Sequence, residues 1–85
     1  MPTKWFEQKG SFDGPVLKKR DELLEVLGVK MSEQVEGSDL GEIRVGETKD
    51  GEVVAAVDKP FLKEKRWLFG IIYPKSLEER VNENS

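Results

Sequence analysis

Acidic side chains dominate the middle of this sequence, and carboxylates brought together at this density are candidate ligands for a hard cation. Between residues 33 and 58 there are eight acidic residues and only two basic ones, Arg44 and Lys49, so the segment has a net charge of −6 while the whole chain has −3. Carboxylates that lie close together repel one another. A calcium ion, which takes about six to eight oxygen ligands in a tolerant geometry, relieves that repulsion.

A tight turn predicts which of these carboxylates meet. The tripeptide Lys49-Asp50-Gly51 is a hairpin signal, because Asp-Gly readily adopts the positive φ angles of a short turn. A hairpin centred on Asp50 places Glu42 opposite Asp58 and Ile43 opposite Val57. Asp58 then returns to the same rim of the sheet as the loop that precedes Glu42.

Two groups of candidate calcium ligands follow from this register. The first group converges at one rim of the sheet: Glu36, Asp39, Glu42 and Asp58. The second group lies at the opposite end: Glu47, Asp50 and Glu52. Backbone carbonyls of Gly37, Ser38 or Gly41 would complete the first site, although the spacing is not that of an EF-hand. The competing interpretation is that these acids are solvated side chains on polar strand faces, where most Asp and Glu lie.

The residues that are missing exclude several other functions. The 85 residues include no Cys and no His, which removes thiolate chemistry, zinc–thiolate sites and a Ser-His-Asp triad. No phosphate-binding glycine motif occurs. A chain of this length forms one domain, here residues 1–85, with little spare structure for a catalytic cleft. We therefore expect no enzymatic activity and no catalytic or cofactor-binding residues besides the metal ligands.

A basic segment near the centre of the second half supports an alternative function. Lys63, Lys65 and Arg66 precede Trp67 and Phe69, a combination that can contact phosphates and stack on bases. The sequence pI of about 5.0 argues against nucleic acid. The alternative to calcium binding is a metal-free protein-interaction module that uses a sheet edge or the basic face near residues 63–66 to meet an acidic partner.

The apolar pattern predicts the fold that positions these groups. The run from Arg66 to Tyr73 is too short to span a membrane, and burial of its six large side chains would contribute roughly 9–18 kcal/mol, so it predicts a central strand. An amphipathic helix is predicted over 15–27. Asp13 or Gly14 is its N-terminal cap, Pro15 is its first residue, and Gly28 ends it. This helix would pack across the central strand.

Shorter signals complete an α+β fold: a mostly antiparallel sheet of four to five strands with one main helix on one face and a short C-terminal helix. A strand or an extended arm is predicted within 1–12, with Trp5 as an anchor in the core. Further strands are predicted over 29–35, from Ile43, and over 53–57, where Pro60 ends the pairing. Residues 36–39 are predicted to form a loop. Ser76 and Glu79 resemble a capping box for a helix over 76–82.

The segments Glu36–Glu42 (EGSDLGE) and Thr48–Glu52 (TKDGE) carry a resemblance to small uncharacterised calcium-binding α+β proteins of methanogenic archaea. The resemblance implies calcium as the cofactor, bound through acidic loops. The charged composition is also similar to that of thermostable proteins. Because residues 1–10 lack the apolar stretch of a secretory signal, we expect a cytoplasmic protein. We expect it to be a monomer.

Overall fold

Six strands and two α-helices make up the part of the chain that the computed structural model describes, which is residues 2–10, 14–39 and 41–84. In chain order they are β1 (Thr3–Lys9), α1 (Pro15–Val26), β2 (Lys30–Met31), β3 (Glu36–Ser38), β4 (Gly41–Glu47), β5 (Val53–Phe61), β6 (Arg66–Ile72) and α2 (Glu78–Glu83). The predicted α+β class is confirmed.

The long apolar run is an interior strand, as predicted. The sheet order is β1-β6-β5-β4-β2, β3 also pairs with β4, and every pairing is antiparallel. β6 therefore has a partner on each side. Phe69 and Ile71 have no exposed surface, because they lie on the face of β6 that α1 covers.

The core lies between this face of the sheet and the helices. Leu23, Leu24 and Leu27 from α1 and its C-terminal turn pack with Val54 and Ile71. Gly28 follows with a φ of +72°, the left-handed conformation that glycine adopts without steric cost, and this ends the helix as predicted. Buried side chains from the C-terminal segment close the same core: Tyr73, Leu77 and Val81.

The other face of the sheet has no helix packed on it in the described part of the chain, and we call it the open face. Trp5, Gly70 and Val57 lie side by side on it, since they are register partners in β1, β6 and β5. Trp5 was predicted to anchor the core, but its side chain lies on this face and is 45% exposed.

No described helix is long and apolar enough to cross a membrane.

Strand β5 is longer than predicted. It continues to Phe61, and Pro60 is paired with Trp67 instead of ending the pairing. The reason is that β4 pairs with β5 only as far as the Glu42–Asp58 pair. Beyond that point β6 is the one strand neighbour of β5 among the described residues, so β5 is locally an edge strand. An edge strand tolerates the missing N–H of proline.

The assignments around β2 and β3 were partly wrong. The alternating segment 29–35 contributes only Lys30–Met31 as a strand, while the predicted loop 36–39 contains the strand Glu36–Ser38. Both short strands pair with different parts of β4. Apolar alternation at Val29, Met31 and Val35 predicted one continuous strand, but Val35 is exposed and the chain pairs again only after it.

The helix ends also differ in detail from the prediction. Gly14 is the N-terminal cap residue of α1, without a side-chain hydrogen bond, and Asp13 lies outside the described residues. The predicted helix 76–82 is a 3-10 turn over Lys75–Leu77 followed by α2. The Ser76 hydroxyl donates to Glu52 Oε2 instead of forming a capping box.

Candidate functional site

The predicted register of the hairpin is confirmed. Glu42 lies opposite Asp58 and Ile43 opposite Val57, and Gly51 in the turn has a φ of +81°. Opposed residues of antiparallel strands share a face of the sheet. Glu42 and Asp58 therefore lie side by side on the face that carries α1.

Arg20 from α1 occupies the space beside these two carboxylates. Its side chain is 7% exposed, its Nη1 forms an ion pair with Asp58 Oδ1, and the same nitrogen donates to the Val57 carbonyl over 3.0 Å. Nη2 lies 3.1 Å from Asp21 Oδ1, and the guanidinium lies over the Phe69 ring, 5.3 Å from its centroid. The protein's own cation thus compensates the charge of Asp58, and a bound calcium ion would compete with Arg20.

The other two members of the first predicted group lie elsewhere. Glu36 pairs with Ile43. Successive residues of a strand alternate between faces, so Ile43 lies on the open face, opposite to its neighbour Glu42. Glu36 therefore also lies on the open face. Asp39 is exposed in the turn after β3, and its backbone carbonyl accepts a hydrogen bond from Lys59 Nζ over 3.2 Å. The structure brings together two of the four predicted ligands.

The acids of the second predicted group are spread over the turn between β4 and β5 and the strand ends beside it. Glu47 is exposed and pairs with Val53 and Lys30, and Asp50 is exposed in the turn. The Glu52 carboxylate accepts hydrogen bonds from Ser76 and, over 3.4 Å, from the Thr48 hydroxyl. Over residues 2–10, 14–39 and 41–84, no three acidic side chains are grouped closely enough to hold a metal ion. Calcium binding itself stays a prediction.

The basic segment forms the tip of the β5–β6 hairpin, and we call Lys59–Arg66 the basic hairpin tip. It contains four basic residues and one acidic residue, a net charge of +3. Glu64 is within 3.3 Å of Arg66 Nη2. Lys65 closes the turn in the left-handed conformation, with a φ of 49°. The predicted basic face therefore projects from one end of the sheet.

Apolar groups lie among these cations. Leu62 is 74% exposed, the largest exposure among the large apolar side chains described. Phe61 is flanked on the open face by Arg66, whose Cζ is 4.5 Å from the ring centroid, and by Lys59, whose Nζ is 5.5 Å away. A cation over an aromatic face is stabilised by about 0.5–1 kcal/mol at an exposed site. These contacts hold two positive charges beside an apolar surface.

The open face also carries exposed apolar side chains farther from the tip. Trp5, Val45 and Val53 all lie on it and are each close to half exposed. The combination of this face with the basic hairpin tip is suited to a partner that is both apolar and acidic.

Sequence reasoning missed two of the residues that shape these surfaces. Arg20 belongs to the basic run Lys18-Lys19-Arg20, in which Arg20 alone is buried. The signal that distinguishes it is helical spacing, since Arg20 lies three and four residues before Leu23 and Leu24 on the buried side of α1. Leu62 was not singled out, and its position in a turn between two strands gives no sign of burial.

Comparisons of the chain with protein-family models, with curated proteins and with solved structures each find no match.

Proposed function

We propose that this protein is a protein-interaction module that binds an acidic partner at the basic hairpin tip. The observation that carries the proposal is the exposure of Leu62 within a segment of net charge +3. Full burial of a leucine side chain contributes about 1.5–3 kcal/mol, which an isolated chain forgoes here. A partner that covers Leu62 recovers this energy.

The surrounding cations select the partner's charge. Lys63 and Lys65 are exposed, and Lys59 and Arg66 are held beside Phe61. Complementary charge speeds encounter and disfavours partners of the same sign, while the apolar contact supplies most of the affinity. We therefore expect binding that weakens as the salt concentration rises, because salt screens exposed charges over about 10 Å at 0.1 M.

A capped peptide that alternates valine and glutamate is a suitable probe, because it supplies both kinds of contact. We expect Leu62→Ser to weaken its binding about tenfold, a loss of about 1.4 kcal/mol. Lys63→Gln should weaken binding by about 0.2–1 kcal/mol, the range of an exposed ion pair. Titration calorimetry measures both effects.

Two control variants change the same residue types elsewhere. Val26→Ser alters an exposed apolar side chain on α1, and Lys49→Gln removes a charge from the opposite end of the sheet. Both should bind like the unmodified protein. Equal weakening by Leu62→Ser and Val26→Ser would contradict a role for the hairpin tip.

Weak calcium binding is a second proposal, and the observation that favours it is the pairing of Glu42 with Asp58. Like charges that lie directly opposite each other destabilise a strand pair, and of these two carboxylates it is Asp58 that Arg20 already contacts. The ion would compete with Arg20, and Glu36 and Asp39 would have to approach from their observed positions. The expected dissociation constant is about 10⁻⁴–10⁻³ M, as for other weak calcium sites.

A further inference from the structure

Strand β1 lies at one edge of the described sheet. In the described part of the chain it pairs with β6 and with no other strand. Two backbone hydrogen bonds show which groups of β1 face β6: Tyr73 N–H donates to the Pro2 carbonyl over 3.0 Å, and Gly10 N–H donates to the Lys65 carbonyl over 2.8 Å. Backbone groups alternate in direction along an antiparallel strand. The even-numbered residues of β1 therefore direct their backbone groups toward β6. The odd-numbered residues Thr3, Trp5, Glu7 and Lys9 therefore direct their N–H and C=O groups outward.

We propose that an extended acidic segment of a partner protein pairs with this outer edge of β1 as an additional antiparallel strand. The inference rests on the proposed function and specifies how the partner reaches the basic hairpin tip. β1 has seven residues, which gives an edge about 23 Å long at about 3.3 Å per residue. Strand addition of this kind uses main-chain hydrogen bonds for affinity and alternate side chains for selectivity.

The side chains along this edge match an apolar and acidic segment. Trp5 lies on the open face, so a partner residue opposite it also lies on that face and packs against the indole ring. Lys4, on the other face, offers a charge to the partner residue opposite it. At the end of β1, Lys9 pairs with Arg66, and Gly10 is bonded to Lys65. A strand added along β1 therefore ends beside the basic hairpin tip.

Charge argues for an acidic partner over a second copy of this chain. β1 contains two lysines and one glutamate, a net charge of +1. Pairing β1 with β1 of another copy would bring together two strands that each carry a net charge of +1, without the complementary charge that an acidic strand supplies. An acidic strand meets favourable charge along the edge and at the tip.

N-methylation of the probe peptide tests this geometry. In an antiparallel pair, the partner residue that exchanges hydrogen bonds with Trp5 has its side chain on the open face, where valine is favoured. N-methylation of the valines should therefore weaken binding about tenfold or more, since it removes the N–H donors that face β1. N-methylation of the glutamates blocks only the outward N–H groups and should leave binding unchanged.

Amide hydrogen exchange gives a second readout on the unmodified protein. Binding should slow exchange at Thr3, Trp5, Glu7 and Lys9, whereas Phe6 and Gln8 already face β6. If the two methylated peptides bind equally while Leu62→Ser still weakens binding, the strand addition is wrong and the proposed function stands. If the unmodified peptide does not bind, both the strand addition and the proposed function are wrong. Protection of the odd-numbered amides without peptide, together with a dimer in sedimentation, would assign the edge to a second copy and overturn the proposal.

Discussion

The indole ring of Trp5 lies directly over Gly70, its register partner on the neighbouring strand. A β-carbon built on Gly70 would be 2.6 Å from Cζ3 of the indole and 2.7 Å from Cε3. The absence of a side chain at Gly70 thus creates the space that the six-membered ring of Trp5 occupies. This pair shapes the middle of the open face, next to Val57, which is fully buried.

We expect Gly70→Ala to destabilise the protein by about 1–3 kcal/mol, because the new methyl group overlaps the indole ring. In a Trp5→Ala background the same substitution should cost much less, since the obstructing ring is gone. The free energy of unfolding from urea denaturation, measured for both single variants and the double variant, gives the coupling energy. Additive effects of the two substitutions would contradict the contact.

Asp58 should contribute more to stability than Asp21, although both carboxylates contact Arg20. The Asp58 side chain is 31% exposed and that of Asp21 is 56% exposed, so removal of Asp58 leaves the guanidinium less well compensated within the fold. We expect Asp58→Ala to cost roughly 1–3 kcal/mol, less than the ~3–5 kcal/mol for breaking a fully buried pair.

Asp21→Ala is the matched control, with an expected cost of about 0–1 kcal/mol, as for exposed ion pairs. Chemical denaturation at constant pH measures both variants. A larger loss for Asp21→Ala than for Asp58→Ala would show that burial does not determine the strength of these pairs.

Some parts of this fold could be predicted from the sequence and others could not. The apolar run at β6 and the Asp-Gly turn are strong local signals, and they predicted the interior strand and the Glu42–Asp58 pairing. Glu36 lies on the opposite face of the sheet because it pairs with Ile43. That position depends on how β3 pairs with β4, and tertiary contacts determine this pairing. Local alternation predicted a strand over 29–35 because exposed and buried apolar residues look alike in a sequence.

The open face was harder still to predict. Trp5 was expected in the core because large aromatic side chains usually lie there. Its exposure depends on pairing with a glycine more than sixty residues away in sequence. The burial of Arg20 likewise depends on a distant partner, Asp58.

We expect calcium to raise the melting temperature through the predicted carboxylate site. At about ten times the dissociation constant, binding to the folded state adds roughly 1.4 kcal/mol to the free energy of unfolding. Thermal melts with millimolar calcium and with chelator, at matched ionic strength, measure the difference. Asp39→Asn should reduce it, and magnesium or sodium should not reproduce it. Equal melting temperatures in calcium and chelator would leave Glu42 and Asp58 without a metal role.

The proposed function is tested most directly by an amide chemical-shift map of the protein titrated with the valine–glutamate peptide. We expect saturable shifts at the basic hairpin tip, Lys59–Arg66, and their reduction in Leu62→Ser but not in Val26→Ser. Amides of the opposite hairpin end, Thr48–Glu52, should not move. Saturable shifts that centre on Thr48–Glu52, or no saturable shift at the tip, would contradict an acidic-partner site at this end of the sheet.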